Sequence, residues 1–373
     1  MSPKSSPPRA KKKGKRQSRP PARAPQAKAG PETAAEARSL PKHIARWDLD
    51  KTYLRTEFDT LRDLVRTALE RPDEKRTNPG ASTLLREMVR AGISVHILSG
   101  SPEQMRKRLE DKLRLDGITW ESFTLKPNLS NMLRLRFRAV RDQLGYKLPA
   151  LLRLRAAMNV PDGEHAPRET LFGDDAEADA FVYSLYADVV AGRVDERTLI
   201  AVCQRGRLYD DVIEELLSCA SRIDHTDAVE RIFIHLERQT PPDEFRRYGV
   251  RVVPFYNYLQ AAFVLYEDGR LPPDGVLRVA VELVVMHRFD GDALARSYLD
   301  LAKRGHLRGE RIDDLARALD AWAEREPVPS AAELRRMIER LPAYADIARN
   351  SAPVSSTLPD YLAIVGRHNP RRS

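Results

Sequence analysis

The chain has 373 residues, 42% of them hydrophobic and 31% charged, which is enough apolar material to bury the core of one large or two ordinary domains. No run of 18 apolar residues occurs, which argues against a helical membrane span, and no apolar stretch of the secretory-signal kind follows the basic N-terminus. The formal charge of +9 arises wholly in residues 1–40, where eleven Lys/Arg meet only Glu32 and Glu36; the other 52 basic and 52 acidic residues cancel, so the folded body lacks the bias of a nucleic-acid-binding domain.

Residues 1–40 are rich in Pro, Ala, Ser and Lys/Arg and are predicted to be a disordered basic tail. The run from Lys11 to Arg16 suits weak contact with phosphates of nucleic acid or with anionic lipid headgroups. Cys203 and Cys219 show no metal-ligand spacing, and a reducing, cytoplasmic location is expected.

The folded part begins at His43, where a short semi-apolar strand ends in Asp48 and Asp50, one residue apart, followed by Thr52. Alternation along a strand points both carboxylates the same way, and the pair can still converge if the strand frays after Asp48. Carboxylates that close repel unless one is protonated or a cation intervenes, and a divalent ion such as Mg2+ suits hard oxygen ligands.

Helical spacing marks Glu57 to Leu69, the turn Asn78-Pro79-Gly80 follows, and Ser82 to Ala91 is a second helix. Ile93 to Gly100 is a buried strand ending near Ser99, and Ser101-Pro102-Glu103-Gln104 is a capped helix start. A helix start behind Ser99 offers backbone N–H groups to an anion. Ile118 to Leu125 is a strand, and Ser130 to Leu144 a basic amphipathic helix carrying Arg134, Arg136, Arg138 and Arg141. Lys147 opens a further helix through Leu154. Arg168 to Gly173 is a strand running into the acid cluster Asp174, Asp175, Glu177 and Asp179, which opens a helix.

A helical insertion is expected over about 195–228, strands over Ile232–Leu236 and Val250–Phe255, and a helix start at Thr240-Pro241-Pro242-Asp243. Helices then follow at Val276–Met286, Ala293–Ala302 and Ile312–Trp322, and a capping box from Ser330 to Glu333 opens a last one. Residues 351–373 are read as a loop-like tail. The expected fold is α/β, a Rossmann-like parallel sheet with helices on both faces over 41–270, followed by an all-helical region over 271–350. Ligands of such sheets bind at the carboxyl ends of the strands, where Asp48, Ser99 and Asp174 lie.

These residues together resemble the haloacid-dehalogenase superfamily of phosphatases. The D-x-D-x-T of Asp48, Asp50 and Thr52, the strand ending in Ser99, Lys147, and the G-D-x-x-x-x-D of Gly173, Asp174 and Asp179 follow the order of its four motifs. Ser99-Gly100-Ser101-Pro102, and the spacing of Gly173, Asp174, Glu177, Asp179 and Tyr183, resemble phosphatidate phosphatases of the actin-patch type. The resemblance spans roughly 41–270 and implies Asp48 as nucleophile, forming an aspartyl-phosphate. It implies Asp50 as the acid and base, and Mg2+ held by Asp48, the Asp50 carbonyl and Asp174. It further implies that Asp179 would complete or support the metal shell, with Asp175 a candidate extra ligand, and that Thr52, Ser99 and Lys147 would hold the phosphate.

Lys126 competes with Lys147 for the lysine role. Lys51 departs from the family pattern, standing where many members have Gly. No large cap domain is evident between Thr52 and Lys147, so the expected substrate is a bulky phosphate: a lipid headgroup, a phosphoprotein or a nucleic-acid end. Two other functions compete, a nucleic-acid end phosphatase using the tail for affinity and a non-catalytic scaffold whose partner binds 271–350. The oligomeric state is left open.

Overall fold

The computed structural model describes residues 40–55, 76–126, 140–158, 160–161, 164–354 and 357–368. The basic tail, the helix expected over 57–69, and Arg134, Arg136 and Arg138 lie outside these residues.

Six strands form one all-parallel sheet in the order β3-β2-β1-β4-β5-β6. They are β1 (His43–Trp47), β2 (Ser94–Pro102), β3 (Ser122–Lys126), β4 (Arg168–Asp174), β5 (Val229–His235) and β6 (Val252–Phe255). The chain leaves β1 in one direction across β2 to β3 and in the other across β4 to β6, so the order reverses at the β1/β4 pair. In open parallel sheets such a switch point leaves a crevice beyond the strand ends.

Side chains alternate between two apolar layers, as the pleat requires. Ala45, Trp47, Val95, Ile97, Phe172, Phe233 and Phe255 face one layer, and Leu98, Leu171, Ile232 and Ile234 face the other. The first layer is closed by α1 (Ala81–Arg90), α2 (Arg106–Leu115), α7 (Tyr258–Glu267), α8 (Pro273–His287), α9 (Gly291–Lys303), α10 (Ile312–Arg325) and α11 (Ala331–Asn350). The second is closed by α3 (Val140–Ala156), α4 (Asp179–Val190), α5 (Glu196–Arg205), α6 (Asp210–Ala220) and α12 (Tyr361–His368). The helical region beyond 271 therefore continues the sheet's own core: Leu277, Leu294, Leu315 and Leu334 belong to the same apolar cluster as Trp47 and Phe172.

An aromatic row crosses the sheet at its carboxyl edge, from the last residue of β1 to residues two before the ends of β4 and β5. Trp47 stacks on Phe172 at 3.9 Å between ring centroids and Phe172 on Phe233 at 4.8 Å, while Tyr258 of α7 stacks over Trp47 at 5.7 Å. Stacked aromatics at strand ends form a rigid floor. On the opposite layer Glu169 is fully buried, accepting from Arg46 Nε at 2.7 Å, Arg155 at 2.9 Å and the Tyr186 hydroxyl at 2.9 Å. A buried carboxylate is tolerable only with such partners.

Several local expectations are corrected. The strand expected to end at Gly100 runs on to Pro102, which pairs with Lys126. Ser101 is consequently not a helix cap; a 3-10 turn at Glu103–Met105 leads into α2, and no side chain caps either. Lys147 does not open a helix but lies inside α3. At the expected capping box, Ser330 has a left-handed backbone (φ 58°) and its side chain accepts no capping bond, while the Glu333 carboxylate accepts from Gly291 N at 2.6 Å on a different helix. The tail is not all loop: α12 forms there, with Ile364 and Val365 buried and the Tyr361 hydroxyl donating to Asp188. Helix α7 escapes a periodicity reading because every one of its residues is buried and the run is almost wholly apolar.

Candidate functional site

Asp48 follows Trp47 directly, and its backbone N–H donates to Phe172 O at 3.0 Å, extending the ladder one step past the strand. Asp174 is the last residue of β4. β4 runs two residues past the level of Trp47, and the neighbouring ends of β1 and β4 bring the two carboxylates close to one another over the aromatic floor. The turn 175–178 folds back from β4 because Asp174 Oδ1 accepts from Ala176 N at 2.6 Å and Glu177 N at 3.0 Å. This is the local side-chain-to-backbone turn that Asp favours. Asp179, first residue of α4, reaches back, and its Oδ2 accepts from Asp174 N at 3.2 Å.

Gly173 makes that return possible. A Cβ built there falls 2.6 Å from Asp179 Cβ and 2.7 Å from its Cγ, closer than packed atoms approach. The first glycine of the G-D motif is therefore required by the close approach of Asp179 to the strand.

Asp48, Asp174, Glu177 and Asp179 each offer a carboxylate oxygen within 4.8 Å of all the others. Lys147 points into this group from α3, its fully buried ammonium 2.5 Å from Asp179 Oδ1, 2.9 Å from Glu177 Oε2 and 3.4 Å from Asp48 Oδ1. Four carboxylates face one ammonium, and Asp48 Oδ1 is buried without accepting a hydrogen bond. The electrostatics follow. Burial, then the neighbouring carboxylates, push the Asp48 and Asp174 carboxyls well above the ordinary range despite the opposing pull of Lys147. Asp179 is raised to about 6, chiefly by burial. Lys147 is opposed by its burial, but Asp179, Asp48 and Glu177 outweigh that and hold its ammonium charged well past the usual lysine range. An excess of buried negative charge is relieved by protons or by a cation. The donor set, all carboxylate oxygen, can hold a hard divalent metal ion.

The loop after Asp48 is fixed from several sides. Thr52 is fully buried, its hydroxyl 3.3 Å from Asp48 Oδ2 and 3.4 Å from Asp174 Oδ2. Asn78 Nδ2 donates to Lys51 O at 2.9 Å and Thr52 O at 2.8 Å, and the Tyr258 hydroxyl also donates to Thr52 O. His235 Nδ1 lies 3.2 Å from Lys51 O, which as an acceptor requires the proton on Nδ1. Lys51 itself has φ 62°, the left-handed conformation that glycine adopts most easily, which accounts physically for a glycine being apt at that place.

The structure divides the residues singled out in the sequence into two groups. Asp48, Thr52, Lys147, Asp174 and Asp179 come together. The Asp50 side chain does not join them: its Oδ2 accepts from Ser99 Oγ at 2.9 Å and Ser101 Oγ at 2.7 Å. Ser99 is thereby committed to Asp50, and Thr52 to carboxylates. Asp175 turns away, accepting from Arg238 N at 2.8 Å and Thr240 N at 3.0 Å, and so braces the segment after β5. Lys126 sits over the Tyr146 ring at 5.8 Å rather than among the carboxylates, which leaves Lys147 as their ammonium. Glu177 was not among the ligand candidates. Its signal was present, three residues after Asp174 in a turn, but the turn's direction is a tertiary fact.

Comparison with known proteins found no matching family model, no matching curated protein and no matching solved structure. No helix among the described residues is long and apolar enough to cross a membrane. What is established is an α/β fold with six parallel strands and, at the carboxyl edge of its central pair, a buried carboxylate group able to hold a metal ion.

Proposed function

We propose that this chain is a Mg2+-dependent phosphomonoesterase of the haloacid-dehalogenase type, acting through an aspartyl-phosphate on Asp48. The observation that carries the reading is the meeting of three buried carboxylates, the half-buried Glu177 and one buried ammonium at the sheet's switch point, with a fifth carboxylate, Asp50, held separately by two hydroxyls. Asp48, Asp174, Glu177 and Asp179 are the residues that would hold the ion, and Asp48 Oδ1, buried and accepting no hydrogen bond with the Lys147 ammonium 3.4 Å away, fits a ligand atom. When bound, a divalent ion supplies neutralisation of charge on the phosphoryl oxygens.

The chain's own residues supply the rest. A carboxylate oxygen of Asp48 attacks phosphorus; the bond to the leaving oxygen breaks with its electron pair, and that oxygen takes a proton from Asp50. Water then attacks the aspartyl-phosphate and gives a proton to Asp50, and the bond to Asp48 breaks, releasing inorganic phosphate. Lys147, kept charged by its partners, favours ionised Asp48 and faces the incoming phosphate. A phosphatidate or another bulky phosphate is the proposed substrate class.

Asp48→Asn is the direct test, because it preserves shape and removes the nucleophile. Hydrolysis of p-nitrophenyl phosphate in Mg2+ should fall by at least ~10³-fold with thermal unfolding still cooperative, as expected for loss of a covalent nucleophile. Turnover within tenfold of wild type would reject the assignment. A screen of lipid, nucleotide, sugar and peptide phosphates, with and without Mg2+, then identifies the substrate.

A further inference from the structure

The segment Ser99-Gly100-Ser101 is irregular. Leu98 pairs with Thr124 and Pro102 with Lys126, so three residues of β2 stand opposite the single Leu125. Bulges of this kind re-aim side chains beside sites. Here both serines are buried and both hydroxyls converge on one atom, Asp50 Oδ2, at 2.9 Å and 2.7 Å. The Ser99 hydroxyl is itself oriented, since its oxygen accepts from Ser101 N at 3.0 Å. Ser101 thus contributes twice: its backbone aims Ser99, and its own hydroxyl makes the shorter contact with Asp50. The Ser99 carbonyl is held in turn by the Tyr146 hydroxyl at 2.9 Å, next to Lys147.

We propose that Ser101 is a positioning residue for Asp50, holding its carboxyl so that the proton destined for the leaving group resides on Oδ1. The inference rests on the phosphatase reading above. Two hydroxyl donors occupy both lone pairs of Oδ2, so a proton on the Asp50 carboxyl belongs to Oδ1. In the transfer step the phosphorus–oxygen bond to the leaving group breaks, its electron pair stays on the leaving oxygen, and the Oδ1 proton passes to that oxygen. Asp50 is left as a carboxylate, whose Oδ2 is stabilised by the same two hydroxyls. Loss of the Ser101 hydroxyl leaves the nucleophile and the carboxylate group untouched but removes one of the two hydroxyls that hold Oδ2, so the acid is held less firmly.

The test separates this role from a merely structural one through the leaving group. Wild type and Ser101→Ala are compared on phenyl phosphate, whose phenolate needs a proton, and on p-nitrophenyl phosphate, whose phenolate departs without one. The parameter is kcat/KM, which covers substrate binding and phosphoryl transfer but not hydrolysis of the aspartyl-phosphate. The expected result is a ~5–10-fold loss on phenyl phosphate and less than ~2-fold on p-nitrophenyl phosphate, the scale of one lost hydrogen bond to an acid catalyst. Ser101→Thr, which keeps a hydroxyl, should restore the ratio of the two substrates. Ser101→Cys, which fills the same space with a weaker donor, gives the reading if the alanine variant does not fold. Equal losses on both substrates, or no loss on either, overturn the proposal while leaving the phosphatase reading standing. A wild-type protein that hydrolyses neither substrate overturns both.

Discussion

Replacing Gly173 by alanine tests how the carboxylate group is assembled. The added methyl would sit 2.6 Å from Asp179 Cβ and 2.7 Å from Cγ, with Oδ2 closer still. Ordinary carbon contacts are about 3.5–4.0 Å, so Asp179 or the strand must move by roughly 1 Å. The strand is pinned between β1 and β5, and α4 begins at Asp179, so the side chain gives way. A shift of that size takes its 3.2 Å bond from Asp174 N out of range and lengthens the 2.5 Å contact with Lys147. Overpacking costs about 1–3 kcal/mol, and loss of a hydrogen bond to a charged group about 1.5–3 kcal/mol. The sum is about 2.5–6 kcal/mol, a large share of the ~5–15 kcal/mol that holds a domain together. Urea unfolding followed by circular dichroism reads this directly. Gly100→Ala is the matched control, because a Cβ there meets nothing within 4 Å. Gly173→Ala should also weaken Mg2+ binding measured by calorimetry. Equal stability of the two alanine variants and unchanged Mg2+ affinity would refute the assembly described here.

Further outcomes follow from the division between residues that join the carboxylate group and those that do not. Glu177→Gln should weaken Mn2+ or Mg2+ binding by about tenfold or more, as removal of a charged oxygen ligand does. Asp175→Ala should leave that affinity unchanged yet lower stability by about 1–3 kcal/mol, because Arg238 N and Thr240 N lose their acceptor; the opposite pattern in calorimetry and urea unfolding would reverse the two assignments. Asp179 titrates at about 6 in the folded chain against an ordinary 3.8. The folded state therefore binds the extra proton within that window, and this group's contribution to stability is present at low pH and lost as pH rises through about 6. A cation replaces the proton, so the rise in Tm produced by Mg2+ should be larger at pH 7 than at pH 5, and equal shifts would contradict it.

Much of this protein was legible residue by residue. Strand–helix alternation, β-branched and aromatic runs and turn signals are local, and they indicated a parallel sheet whose carboxyl edge carries Asp48 and Asp174. The G-D motif likewise announced itself, and Gly173 has the steric reason the pattern implies. Local propensity failed where long-range partners claimed a residue. Ser101 looks like a helix cap, but the sheet extends through it and Asp50 takes its hydroxyl. Ser330 and Glu333 look like a capping box, but Gly291 takes the carboxylate.

Which acids would converge was decided only by the tertiary structure. Asp48 and Asp50 are two residues apart, yet they part company because the strand stops at Trp47 and the Ser99 and Ser101 hydroxyls of β2 take the Asp50 carboxylate. Asp174 and Asp175 are adjacent, and successive side chains at a strand end point opposite ways, so one enters the carboxylate group and the other braces a neighbouring loop. Glu177 joins only because the Asp174 carboxylate folds the turn back on itself. Residue type and spacing specify what chemistry is affordable along a chain; the direction in which each side chain leaves the backbone, fixed by partners distant in sequence, selects which of those groups meet.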